Sequence, residues 1–139
     1  MVKQKEKTSF RIFPAPGGYG FIVAGEKGLK RSGLPRKKKS TARAIIKEEF
    51  PDAKEDAALL PDLIDSLLNF YQGDKVQWRV TLDMCDLTPF SAAVYGRLQG
   101  IRRGTTVTYG ELAELAGSPK AARGVGVAMR KNPFPPIVP

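Results

Sequence analysis

Apolar and polar residues alternate in two short stretches near the start of the chain, residues 9–13 (SFRIF) and residues 18–24 (GYGFIVA). Pro14, Pro16 and Gly17 lie between them, and alternation on either side of a proline-glycine cluster predicts a β-hairpin. A turn at residues 25–28 and a third strand over residues 29–34 follow. The period then changes. Residues 40–50 carry Ala44, Ile45 and Glu48 at one-faced helical spacing, with Ser40 as N-cap and Pro51 as the stop. Residues 59–71 repeat apolar side chains at Leu60, Leu63, Ile64, Leu67, Leu68 and Tyr71, a 3.6-residue stripe that ends at Gly73 and reads as core. Residues 76–81 alternate again as a strand, in which Trp78 is read as a packing residue. Strands and helices together predict a small α+β lobe over residues 1–83.

The second half is helical. After a link over residues 83–87, Phe90, Val94, Leu98 and Ile101 form one buried stripe. Thr108 followed by Glu111 is a capping-box pattern, and Leu112, Leu115 and Ala116 give the next helix its apolar face before Gly117 stops it. Ser118 as N-cap and Pro119 at the first helical position predict another helix at once. On its wheel Ala121, Val125, Ala128 and Met129 fall together, while Arg123, Val127 and Arg130 fall opposite. Gly124 and Gly126 sit inside this helix, where each costs about 1 kcal/mol relative to alanine, so something must come close there. Two readings fit: a helix-turn-helix whose glycines admit a nucleic-acid groove, or a core helical hairpin with two solvated arginines.

Composition bounds the rest. A chain of 139 residues with 42% hydrophobic residues can bury a core as one domain or two small ones. It holds no apolar run near membrane-spanning length, and the basic leader over residues 1–7 is not followed by a signal-peptide core, so a cytoplasmic protein is expected. One cysteine, Cys85, permits no internal disulfide, and the absence of histidine removes the usual zinc ligand sets. Cofactor-free chemistry, or none, is implied. A nucleophilic Cys85 would need a cationic setting, whereas its neighbours are Asp83 and Asp86, so it is read as structural or incidental.

Net charge is +9, unevenly placed. Residues 1–47 carry thirteen Lys or Arg against two acids, residues 48–96 three against ten, and residues 97–139 seven against two. Basic ends point to a polyanion, with plain solubility as the alternative. The run over residues 35–39 (PRKKK) can touch phosphates, but a solvated loop is the commoner fate of a short lysine cluster.

Residues 105–139 (TTVTYGELAELAGSPKAARGVGVAMRKNPFPPIVP) resemble the DNA-binding domain of the methylated-DNA-protein-cysteine methyltransferases, which take an alkyl group off the exocyclic oxygen of guanine. That family's pattern runs T-x-x-Y-G-E-L-A, then G-x-P-K-A-A-R-x-V-G-x-A-M, then N-P-x-P, and closes on I-V-P-C-H-R. Tyr109, Pro119, Lys120, Ala121, Ala122, Arg123, Val125, Gly126, Ala128, Met129, Asn132, Pro133, Pro135, Ile137, Val138 and Pro139 match it. Thr88, Pro89 and Phe90 match the family's T-P-F at a helix start, and Phe70, Tyr71, Gln72 and Gly73 stand where it has Y-F-x-G. Arg102 departs from a proline common in the family's I-P-x-G loop and adds charge there. The resemblance is loose before Thr88 and tight after it.

The resemblance implies two domains, an α+β lobe over 1–83 and a DNA-binding domain over 87–139 of winged-helix type with its wing missing. It implies a monomer acting on double-stranded DNA through the minor groove. Tyr109 matches the tyrosine that crowds the target phosphate and hydrogen-bonds the leaving guanine. Arg123 matches the finger that enters the vacated stack. Ala121, Ala122 and Gly126 match small residues that let the helix lie in the groove; Met129 and Pro135 would line the alkyl pocket, and Asn132 would brace the turn around the acceptor. The duller alternatives are first-turn packing for Tyr109, core for Met129 and a helix-ending pair for Asn132 and Pro133. The resemblance places the run at 35–39 outside the family's DNA contacts.

The family's acceptor cysteine falls at position 140. As given, the chain therefore lacks its nucleophile, and three expectations follow: a methyltransferase whose given sequence stops before its nucleophile, a non-enzymatic alkyltransferase-like lesion binder, or a nonfunctional gene fragment. For the stop itself, a UGA codon recoded as selenocysteine is weighed against an ordinary nonsense mutation and a fragment.

Overall fold

The computed structural model describes residues 6–101 and 105–139. The leader before Glu6 and the loop at Arg102, Arg103 and Gly104 lie outside the described residues. The chain divides into two compact units, Met1–Asp83 and Met84–Pro139.

In unit 1, β1 (Ser9–Ala15), β2 (Gly18–Gly25) and β3 (Gly28–Arg36) form an antiparallel meander, and a two-residue β4 (Lys54–Glu55) pairs parallel to β1, giving the order β3-β2-β1-β4. Helices α1 (Lys39–Glu49) and α2 (Pro61–Tyr71) complete it. Phe10, Phe21, Val23, Ala42 and Ile46 form the core between sheet and α1. Ile22, which alternation turns to the other face, is also fully buried, so β2 is covered on both sides. Gly33 has no room for a side chain: a Cβ there would lie 2.0 Å from the Phe21 ring.

Several expectations are corrected. Residues 76–81 form no strand; the chain meets β3 at residues 81–83, where the Leu29 amide donates to Thr81 O at 2.8 Å and the Asp83 amide donates to Leu29 O at 2.7 Å. Alternation sets which faces are apolar, not whether the backbone runs alongside a free edge, and here it reaches the edge of β3 only at its end. Helix α1 starts one residue early, with Lys38 at the N-cap position and no side-chain cap, so Ser40 is not the cap. The basic run is not one loop, since Pro35 and Arg36 end β3 and Lys39 opens α1. In the α2 stripe Leu63, Ile64 and Leu67 are buried, while Leu60, at φ 45°, turns the chain into the helix. Trp78 packs on Phe70, ring centroids 5.6 Å apart. The Tyr71 hydroxyl is buried with no hydrogen-bond partner among the described residues, and burial pushes its pKa up to about 12.

Lys30 bridges Glu6 at 3.0 Å and Asp83 at 3.3 Å. Its hydrogen bond to Lys30 lowers the Glu6 pKa below the usual 4.5. Burial opposes the charge on Lys30, but the two carboxylates outweigh it and raise its pKa above the usual 10.5. The depressed Glu6 contributes stability above its unfolded value, lost as pH falls through its folded one; the raised Lys30 contributes below its unfolded value, lost as pH rises through its folded one. The melting temperature of unit 1 is therefore expected to be flat from about pH 5 to about pH 10 and to fall at both ends. In Lys30→Met the acid limb should be shallower, by thermal melts followed by circular dichroism.

Unit 2 contains α3 (Pro89–Gln99), α4 (Tyr109–Leu115) and α5 (Ala122–Arg130). Thr88 caps α3, its Oγ1 accepting from the Ser91 amide at 3.1 Å. Val94, Tyr95 and Leu98 are its buried face, whereas Phe90 and Ile101 are half-buried. Tyr95 belongs to the same face by its three-residue spacing to Leu98, a signal the 90-94-98-101 stripe obscures.

Candidate nucleic-acid interface

Helix α4 begins as its sequence directs: Thr108 Oγ1 accepts from the Glu111 amide at 3.0 Å. It ends in a left-handed glycine turn, Gly117 at φ 85°, with the Ser118 amide bonded to Ala113 O at 2.9 Å and the Gly117 amide to Glu114 O at 3.0 Å. These two bonds make a Schellman cap. Leu112 and Ala113 are buried, but Leu115 is 49% exposed and is not part of the apolar face. Ser118 does not cap α5. It closes a tight turn, its carbonyl accepting from the Ala121 amide at 2.9 Å, and α5 starts at Ala122 with Ala121 in the N-cap position.

On α5, Val125, Gly126 and Ala128 are buried and Met129, Ala121 and Ala122 half-buried, while Arg123, Val127 and Arg130 form an exposed row. The two glycines answer to different neighbours. A Cβ on Gly124 would stand 3.1 Å from Phe90 Cε2, so the close approach at Gly124 is made by this protein's own ring and not by a nucleic-acid groove. A Cβ on Gly126 would lie 3.4 Å from Tyr109 Cε2 and 3.9 Å from Arg130 Nη1. Gly126 is thus the floor of a notch between an aromatic ring and a guanidinium. Tyr109 remains 53% exposed above it.

A second grouping follows α5. Asn132 Nδ2 donates to Val138 O at 2.6 Å, and Asn132 Oδ1 accepts from the Phe134 amide at 2.9 Å. One side chain therefore ties both ends of the proline-rich turn, which includes a cis bond between Pro135 and Pro136. Phe134, Ile137 and Val138 are buried beneath it, and Pro135 is half-buried. The turn is anchored to α3 and α5 by residues that the sequence did not single out. Phe134 stacks edge-on against Tyr95 with centroids 6.3 Å apart, and the Tyr95 hydroxyl donates to Ala128 O at 2.6 Å. Burial raises the Tyr95 pKa, which keeps it a donor.

The structure thus brings together Tyr109, Gly126 and Arg130 in one grouping and Asn132, Phe134 and Val138 in another, joined by the last turn of α5 through Met129. Arg123 stands one turn earlier on the exposed row. Cys85 is exposed, outside both groupings. A cleft of about 400 Å³ in unit 1, lined by Leu29, Leu59, Leu60, Arg79 and others, contains none of the residues named as candidates. Among the described residues no cluster of acidic, cysteine or histidine side chains fits a metal ion, and no helix is long and apolar enough to cross a membrane.

Comparison with known proteins gives this geometry a context. A family profile for the 6-O-methylguanine DNA methyltransferase, DNA binding domain, matches residues 89–139. The crystal structure of Mycobacterium tuberculosis O6-methylguanine methyltransferase superposes with a TM-score of 0.75 at 27% identity, covering 95% of this chain and 75% of that one. M. tuberculosis OGT in complex with DNA gives 0.74 at 30% identity, covering 94% and 74%. A methylated-DNA–protein-cysteine methyltransferase of Mycobacterium leprae is 38% identical over 78 residues, 56% of this chain and 47% of that protein. The namesake of Methanosarcina acetivorans is 34% identical over 131 residues, 94% of this chain and 79% of its own length. With that extent of identity and an α+β fold shared with solved members, the chain belongs to the methylated-DNA–protein-cysteine methyltransferase family of DNA repair proteins.

Proposed function

We propose that this protein binds duplex DNA through the minor groove with α5, holds a 6-O-alkylguanine swung out of the stack, and presents its alkyl carbon to a nucleophile at position 140, immediately after the braced turn. The observation that carries this reading is the notch at Gly126: an exposed tyrosine and an arginine flank a residue with no side chain, on the helix whose outer row carries a second arginine. Arg123 fills the vacated stack. Tyr109 presses on the phosphate of the turned-out nucleotide and hydrogen-bonds the leaving guanine. Ala121 and Ala122 keep the start of α5 slim enough for a narrow groove. That groove is degenerate in sequence, which suits a protein that must act wherever damage occurs.

Met129 and Pro135 form the walls of the alkyl pocket, and Asn132 fixes the acceptor's approach through its two bonds across the turn. In the transfer the carbon–oxygen bond to guanine breaks as a bond from the same carbon to the acceptor forms. We place the protein in the cytoplasm as a monomer.

The first test is duplex binding under varied salt. Several phosphate contacts predict that raising salt from about 50 to about 200 mM weakens binding by at least tenfold, since each neutralised phosphate releases counterions. Fluorescence anisotropy on a labelled duplex reads this directly, and an affinity indifferent to salt contradicts it.

A further inference from the structure

We propose that Arg36, Lys37, Lys38 and Lys39 in unit 1 form a second binding surface for the phosphate backbone of duplex DNA, in addition to that of α5 in unit 2. The inference rests on the reading of unit 2 as a duplex binder, which supplies the polyanion.

Residues 27–47 contain no acid at all. Within that window most cations outside the run are engaged. Lys30 is held by Glu6 and Asp83, Arg31 by Glu49 at 3.0 Å, and Arg43 by Glu55 at 3.4 Å. Arg31 and Arg43 also lie over the Phe21 and Phe10 rings. The four consecutive cations at 36–39 are different: all are exposed, and no described acid pairs with them.

Their backbone is not a loose loop. Arg36 is in register with Tyr19, and Gly18 packs so closely on the Arg36 carbonyl that a Cβ there would lie 1.9 Å from it. Lys38 and Lys39 stand at the start of α1, whose first turn carries no acid and no side-chain cap. Cations at that end oppose the helix dipole, so the cluster works against the stability of the free protein. Four exposed, unpaired cations on a held backbone, two of them set against a helix dipole, are complementary to a row of phosphates.

Among polyanions the observations favour duplex DNA over an anionic membrane. The same chain carries a DNA-binding family domain, and linking two binding surfaces on one chain raises the effective concentration of the second. Among the described residues of unit 1, Leu34, 48% exposed, is the large apolar side chain next to the run, less than the wedge that membrane docking uses.

The experiment uses the full chain with all four residues changed to glutamine, and a second variant with Lys37, Lys38 and Lys39 changed to arginine. Anisotropy on a roughly 30-base-pair duplex should show the salt slope of the glutamine variant shallower by about 0.9 for each phosphate no longer neutralised, and affinity at moderate salt reduced at least tenfold. Its preference for damaged over undamaged duplex should be unchanged. Its melting temperature should rise, because the charges opposing the dipole are gone. The arginine variant should keep the wild-type slope. An unchanged slope in the glutamine variant overturns this inference alone, as does loss of binding to phosphatidylserine vesicles with duplex binding intact. Failure of the wild type to bind duplex overturns both this inference and the reading it rests on.

Discussion

Replacing Arg123 with alanine is expected to weaken binding to a duplex carrying 6-O-methylguanine by about 10- to 100-fold, while changing affinity for undamaged duplex by no more than about threefold. The asymmetry follows from when the side chain acts. Turning a nucleotide out of the stack costs a few kcal/mol, and each 1.4 kcal/mol of that cost left unmet is about tenfold in affinity. Arg123 is exposed and makes no ion pair among the described residues, so its removal leaves the fold alone. On an undamaged duplex it is one cation among several. Parallel titrations of the two duplexes check the ratio; equal reductions on both would remove the finger role and leave Arg123 as a simple phosphate ligand.

Phe134→Ala is expected to cost about 3–5 kcal/mol of unit 2 stability, the range for truncating a fully buried aromatic. Phe134 is 0% exposed and stacks on Tyr95, whose hydroxyl in turn holds the Ala128 carbonyl of α5. Unit 2 is short enough that such a loss is a large share of its total stability. Chemical denaturation should show its transition moved to much lower denaturant, and Phe134→Leu should recover most of the stability. A shift below about 1 kcal/mol would mean that the turn is not anchored by this ring.

Where local chemistry decides the conformation, the sequence is a good guide. The hairpin of β1 and β2 follows from alternation around Pro16 and Gly17, the start of α4 from Thr108, and its end from Gly117. Arg123, Val127 and Arg130 fall on one exposed row as the helical period requires. What the sequence leaves open depends on packing between distant segments. Lys54 and Glu55 have no strand pattern, yet they pair with β1 because the chain after α1 runs past that edge. Residues 76–81 have the pattern, yet 76–80 form no strand and the chain meets the β3 edge at residues 81–83. Gly124 and Gly126 look alike in the sequence, and only the fold shows that one accommodates Phe90 and the other faces Tyr109 and Arg130. The brace of Asn132 across to Val138 is likewise invisible from spacing, since an Asn-Pro pair equally marks a plain helix end.

Capture by α5 of a nucleotide turned out of the stack can be followed by placing 2-aminopurine next to 6-O-methylguanine in a duplex and reading its fluorescence as protein is added. The fluorescence should rise as the neighbouring base loses its stacking partner, and the rise should be reduced or abolished in Arg123→Ala at saturating protein. Saturated binding with no change in fluorescence would contradict it.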